Sequence, residues 1–556
     1  MGGEVTDYLR TVARARARTA SGRWAEAAAL WERVVERNPV NGNHWDRLAE
    51  ARFALEDYAG ALAAYGKVME IGSWAPGGLE TAFPSEVAYR MARCHARLGD
   101  RERAMRALAR ALELGLRDLD RARSDEDLES LRQEPRFGEL LGPADAGGLS
   151  RDEGWRADLR LLAREVKRRA YAPFRRHSEA AFDAAVAELD RSIPELDDAR
   201  VTVEMMKLLR PLGDGHAFVA VPRSDRAFRR ALPVRLFLFE EGLFVTATDP
   251  RYSRLCGAEV LRFGGLGVDE VMAALDPVIG RDNQWWPKQV APLLMCQLPL
   301  LHALGAVPDP GEVTLAVRLA DGATDEVRVA AERDWSPPSW ALPCPPGWRF
   351  LPETLPGPLP LYLRNCGAIY WFEHLAEDRL VYFQFNAVAD DPAEPLEAFC
   401  ERLFGLIDAN PVERLVIDLR WNSGGNTFLV PGLVNRIVGC AKVNRPGGLF
   451  VIIGRKTFSA AQNTATFIER HTSAVFVGEP TGSSPNFVGE TVPFHLPYSG
   501  LQVNVSDLYW ESSWPMDHRA WIAPELYAPP TFEAFRSNRD PAMDAILACR
   551  EHLPGW

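Results

Sequence analysis

The chain has 556 residues, of which 64 are Lys or Arg and 76 Asp or Glu, for a net charge of −12, and 47% are hydrophobic. Such a length predicts three or more domains, and the acidic balance argues against nucleic acid or an anionic membrane as the main partner. The start lacks a signal-like apolar core and no run of about 18 apolar residues occurs, so a soluble, cytoplasmic protein is expected. The eight cysteines lack C-x-x-C spacing and H-E-x-x-H is absent. No zinc site or disulfide framework is therefore predicted, and the reading reached below implies no metal or organic cofactor.

Residues 1–141 read as helical repeats. Ala27 and Ala61, Trp31 and Tyr65, and Val34 and Val68 recur at a spacing of 34, with Pro39 where such a unit would close. After an insertion between Gly72 and Pro84, Ala104, Leu108 and Ala111 repeat the small, large, small order. Period and residue class resemble tetratricopeptide repeats, which pack small residues of one helix against large residues of the next; the alternative is a plain helical bundle. Repeats of this kind imply a protein partner. A capping helix is expected from Asp118 to Leu141, and the run GPADAGG opens a linker over 142–153.

Residues 154–230 carry amphipathic helices and end on the motif Leu212-Gly213-Asp214-Gly215-His216-Ala217. Residues 231–334 alternate β-like runs with turns, forming a β subdomain. The connector 335–361 holds nine prolines and three tryptophans and is expected to be extended and ordered. Residues 362–556 alternate strands and helices, an α/β layered core. Neither phosphate-loop pattern of nucleotide-binding proteins is present.

Two stretches of this core carry the chemistry. LVIDLRWNSGG, Leu415 to Gly425, reads as a buried strand entering a turn whose glycines permit unusual backbone angles and close approach of another chain. LFVIIG, Leu449 to Gly454, is a second strand, followed by a turn and a helix that begins near Ser459. A serine at that junction has its hydroxyl beside free helix N–H groups, where a developing negative oxygen is favoured.

Three ordered motifs, Asp418-Leu419-Arg420-Trp421-Asn422-Ser423-Gly424-Gly425, Thr457-Phe458-Ser459-Ala460-Ala461 and Val477-Gly478-Glu479-Pro480-Thr481-Gly482, resemble the tail-specific, or C-terminal processing, serine proteases of peptidase family S41. The resemblance implies an α/β core of the ClpP/crotonase type with Ser459 as nucleophile. It also gives the phrase G-A-x-V-L-x-F-x-G at Gly257 to Gly265 a PDZ-like look, a module that can receive a chain end by strand addition. Members with a serine-lysine dyad carry the lysine in a T-F-G-K-G phrase, and here Thr481 to Asn486 contains none. Lys456, upstream on the strand-to-helix turn, is expected to point away.

In the tricorn-like branch a D-x-H-like motif supplies the base, which makes His216 the candidate. An acidic residue near the C-terminus would orient it, with Asp517 first and Glu511 second. The oxyanion hole would use the N–H of Ala460 and that of Gly424 or Gly425. The expectation is a serine peptidase that cleaves a peptide or protein substrate through an acyl-enzyme. A catalytically inactive peptide-binding scaffold is the alternative, and hydrolysis of a non-peptide ester or amide is a third possibility.

Overall fold

A computed structural model of the chain describes residues 2–73, 83–141, 148–222, 224–225, 228–334 and 343–549. The chain divides into two compact units, one of Met1–Arg169 with Leu496–Ser499 and one of Ala170–His495 with Gly500–Trp556.

The first unit is helical. Helices α1 (Gly2–Ala20), α2 (Trp24–Arg37), α3 (Gly42–Ala54), α4 (Tyr58–Ile71), α5 (Pro84–Arg97) and α6 (Arg101–Glu113) run in sequence, and all nine residues that define the predicted repeat are no more than 3% exposed. Asp57 and Asp100 cap α4 and α6 by accepting from the amides of Gly60 and Arg103, satisfying donors that a helix start leaves unpaired. Most of the insertion, 74–82, lies outside the described residues.

The predicted capping helix is three short pieces instead: Leu119–Ser124, a 3-10 turn Glu126–Leu131, and Pro135–Leu141. Asp125 starts a new turn by accepting from the Asp127 amide, and Arg132 takes the carbonyls of Arg123, Ser124 and Asp125. The helix Arg151–Arg169, which the sequence assigns to the second half, belongs to this first unit. Its Arg168 donates to the carbonyls of Leu112 and Leu116, and its buried Glu165 pairs with Arg168 and Arg169 at 2.7 Å. The compact boundary thus follows Arg169, later than the predicted linker, of which 142–147 lie outside the described residues.

The second unit opens with helices Glu179–Ser192 and Asp198–Leu209. An antiparallel sheet joins β1 (Phe218–Ala220) to β17 (Gln502–Glu511) and β17 to β16 (Asn486–His495). A short pair is made by β2 (Arg230–Ala231) and β9 (Arg333–Asp334). The β subdomain is a seven-stranded antiparallel sheet of β3 (Val234–Leu238), β4 (Leu243–Thr248), β5 (Glu259–Phe263), β6 (Leu266–Gly267), β7 (Glu312–Arg318), β8 (Thr324–Ala330) and β10 (Arg349–Phe350). Helices Val268–Leu275, Trp285–Leu294 and Leu298–Ala303 share its apolar core. Of the connector, 335–342 lie outside the described residues; beyond them β10 pairs with β4.

The core sheet runs β11 (Tyr370–Leu375), β12 (Leu380–Phe385), β13 (Arg414–Asp418), β14 (Leu449–Ile453), β15 (Val475–Gly478) and β18 (Leu526–Tyr527), parallel except for β11. Its strands are near-continuous apolar runs because both faces are covered. Val381, Phe383, Leu415, Ile417 and Val451 meet the side holding helices Leu396–Ala409, Val430–Gly439 and Ala460–His471, while Leu380, Tyr382, Val416, Phe450 and Ile452 meet helix Pro541–Ala548. Asp418 pairs with Ile452 across β13 and β14, so the two turns singled out in the sequence leave the sheet side by side at the carboxyl ends of adjacent strands. That edge is where open parallel sheets place their ligands.

Candidate active site

After β14 the chain turns through Gly454 to Phe458 and enters the helix Ala460–His471 with Ser459 at its N-cap. Ser459 has φ 54° and ψ −127°, a backbone state that costs a residue with a Cβ about 1–3 kcal/mol and persists only where its surroundings impose it. They do so here. The Thr457 hydroxyl donates to Leu419 O at 3.0 Å and accepts from the Gly454 amide at 3.1 Å, and Thr457 O accepts from the Gly482 amide at 3.0 Å. From Gly454 to Ala460 only Ser459 is not buried.

Opposite stands the turn after β13. A Cβ on Gly424, at φ 113°, would fall 2.6 Å from Ser459 Cβ and 2.9 Å from the Ala460 amide nitrogen, so only glycine allows the two turns to touch. Buried Asn422 shapes the turn: its Nδ2 donates to Phe385 O and its Oδ1 accepts from the Gly424 amide, both at 2.9 Å. The Gly424 N–H, one of the expected oxyanion donors, is therefore already used. The amides of Gly425 and Ala460 make no hydrogen bond among the described residues.

Below the turn, Arg420 makes two 2.8 Å bonds to Asp540 and one of 2.9 Å to Asp418, which also accepts from the Tyr382 hydroxyl at 2.7 Å. Burial works against the Arg420 cation, but Asp418 and Asp540 hold its pKa well above the usual range.

His216 lies in the turn that follows helix Asp198–Leu209. Its ring is held between Phe458, at 4.5 Å, and Phe487 of β16, at 5.8 Å and 12° from parallel. Phe458 in turn stacks on Trp286 at 4.1 Å. The imidazole is thus packed on the residue that precedes Ser459.

Asp214 Oδ1 is 3.6 Å from His216 Nδ1 and accepts the His216 amide at 2.8 Å, while Oδ2 accepts the Ser506 amide at 3.1 Å. Asp282 Oδ1 accepts from the Gly215 amide at 3.0 Å and Oδ2 from the Ser483 hydroxyl at 2.5 Å. Burial alone would lower the pKa of His216, yet Asp214 first and then Asp282 raise it above its ordinary value. The carboxyl of Asp282 is pushed upward, by burial above all, with His216 opposing.

The two acids expected from the C-terminal region are placed otherwise. Asp517 accepts from Arg519 at 2.8 and 3.0 Å and from the Ser513 hydroxyl at 2.6 Å, and Arg519 holds its carboxyl far below the usual range. Glu511 ends β17, exposed and opposite Asn486. Neither shares a hydrogen bond or ion pair with His216 among the described residues; Asp214 and Asp282 act on it. Asp214 was legible as the acid of the D-G-H phrase, whereas Asp282 is 66 residues downstream of His216 and carries no local signal.

Lys456 packs over the Trp421 ring at 5.6 Å, and burial, with Arg235 adding to it, brings its ammonium down to about 8. A cavity of ≈ 100 Å³ opens nearby, lined by Phe237, Phe239, Phe350, Trp421, Arg455 and Glu479 among others, but Ser459 and His216 are not in its lining. Among the described residues no helix is long and apolar enough to cross a membrane, and no three His, Cys, Asp or Glu side chains are gathered as for a metal ion.

Residues 86–114 match the tetratricopeptide repeat family, the third of the units read from the sequence. No curated protein matches the chain. Solved structures that align with it include mature CPAF complexed with lactacystin, 14% identical over 71% of this chain and 97% of that one, with a TM-score of 0.50. The photosystem II D1 C-terminal processing protease aligns at 13% identity over 71% and 96% of the two chains, TM-score 0.33. The tricorn protease aligns at 10% over 72% of this chain and 37% of its own, TM-score 0.33. The first likeness establishes a fold shared with CPAF.

Proposed function

We propose that the chain is a serine peptidase of the S41 kind. Ser459 attacks a peptide carbonyl, His216 takes its proton and returns it to the leaving amine, and water then hydrolyses the acyl-enzyme. The observation that carries this reading is the solvent-reaching Ser459, forced into an unfavourable backbone state at a helix start, with an imidazole packed against the preceding residue. Developing charge on the carbonyl oxygen would fall to the amides of Ala460 and Gly425, each such donor being worth about 2.7–4 kcal/mol in the transition state. Asp214 orients the imidazole and stabilises the imidazolium that forms once the Ser459 proton is taken, the part expected of Asp517 or Glu511. The substrate is a peptide or protein, and the helical repeats hold a protein partner. A PDZ-like part for the β subdomain, a tail-specific mode of cleavage and a cytoplasmic location complete the reading.

The test is labelling by a fluorophosphonate, in which the serine oxygen displaces fluoride from phosphorus. The native chain should gain one adduct by intact mass and Ser459→Ala none. His216→Ala should react slower by roughly 10²–10⁴-fold, the usual worth of a positioned base. A folded native protein that gains no adduct would overturn the proposal and leave the scaffold reading.

A further inference from the structure

An exposed aromatic side chain is unremarkable when it stands alone. Phe428, 60% exposed, does not stand alone. It sits three residues past Gly425 in the short turn Thr427–Leu429, with its ring 6.2 Å from that of Trp510 near the end of β17. Trp510 is the cross-strand partner of Phe487, whose ring stacks on His216. Gly489 makes room for both rings, since a Cβ there would lie 2.8 Å from Phe487 and 2.9 Å from Trp510.

The two arms that carry the pair are fastened to the nucleophile helix by one buried side chain. Asn463, one turn beyond Ser459, donates from Nδ2 to the Thr427 hydroxyl at 2.9 Å and accepts at Oδ1 from the Ser512 hydroxyl at 2.7 Å. The rings therefore continue the turn with the unused Gly425 amide on one side and the strand that backs His216 on the other. Water gains nothing from two such faces, whereas an apolar side chain would bury them.

Resting on the serine peptidase reading, we infer that Phe428 and Trp510 form the subsite for a large apolar side chain on the peptide residue whose carbonyl Ser459 attacks. The chain would then select peptides by an aromatic or long aliphatic residue at that position.

Amino-acid diphenyl phosphonates test this without knowledge of the natural substrate. Ser459 Oγ bonds to phosphorus, phenoxide leaves, and the serine proton passes to His216. The side chain next to phosphorus is varied between benzyl and methyl, and the two inactivation rates are compared as a ratio within each protein. The native ratio is expected to exceed about tenfold, in line with what a few apolar contacts discriminate. It should fall toward one in Phe428→Ala and in Trp510→Ala and stay high in Phe428→Leu. A native ratio near one, or a ratio that both alanine variants leave intact, would overturn the subsite. Adduct formation with the methyl probe would at the same time keep the reading of Ser459 standing, and failure of every phosphonate to react would end both.

Discussion

Asp214 faces His216 with one carboxylate oxygen, 3.6 Å from Nδ1, and spends the other on the Ser506 amide at 3.1 Å. An imidazole that must accept the Ser459 proton works only when neutral, so labelling falls as pH drops through its pKa. Because Asp214 and Asp282 raise that pKa, the acid limb of the rate profile should lie above the ordinary 6.5. Asp214→Asn should move the limb to lower pH, and Asp517→Asn should leave it in place. Labelling rates across pH decide this, and a limb indifferent to Asp214→Asn would remove it from the orienting role.

Gly424→Ala places a methyl 2.6 Å from Ser459 Cβ at a φ of 113°. The two turns must part, carrying the Ala460 amide away from the attacked carbonyl. A loss of roughly 10²–10³-fold in labelling rate is expected, the scale of a lost oxyanion donor, with circular dichroism still native. Full reactivity in this variant would show that the contact has no part in the chemistry.

Asn463→Ala cuts the fastening between Thr427 and Ser512. Both hydroxyls lose a buried partner, and a destabilisation of about 1–3 kcal/mol is expected, read from the midpoint of urea unfolding. The benzyl-to-methyl ratio should drop as well, because Phe428 and Trp510 lose their common anchor. An unchanged ratio alongside lower stability would confine Asn463 to a purely structural part.

Arg420→Ala strips the buried carboxylates Asp418 and Asp540 of their common cation. Removal of one member of a buried ion network typically costs about 3–5 kcal/mol, and urea unfolding should show a loss of that size. Arg420→Lys should recover only part of it, since an ammonium cannot make the paired bonds to Asp540.

The repeat was legible in the sequence because its period repeats one packing solution: Ala27, Trp31 and Val34 do for the first unit what Ala61, Tyr65 and Val68 do for the second. The core was legible for the same kind of reason, as strands buried on both faces must be apolar throughout, and the two turns that meet at Ser459 are each local in sequence. What the sequence withheld is long-range. Phe458 and Phe487 pack on His216 from 242 and 271 residues downstream, and no spacing encodes that. The prediction of Asp517 followed a C-terminal phrase, while the carboxylate that meets the imidazole is two residues from it. The first compact unit runs on past the Gly-rich stretch that marks a joint in sequence, because Arg168 reaches back to Leu112 and Leu116 and draws its helix into that unit.

The backbone at Ser459 sets the residue that the chemistry wants against the residue that the chain would prefer. Glycine adopts φ 54° freely, so Ser459→Gly should melt higher than the native protein, by an amount worth about 1 kcal/mol, while reacting with no phosphonate. On the peptidase reading, activity at this position is maintained against a standing incentive to lose it. In a lineage released from the need to cleave, glycine here is the direction of drift, and a relative carrying it could be recognised as a retired enzyme from that one letter.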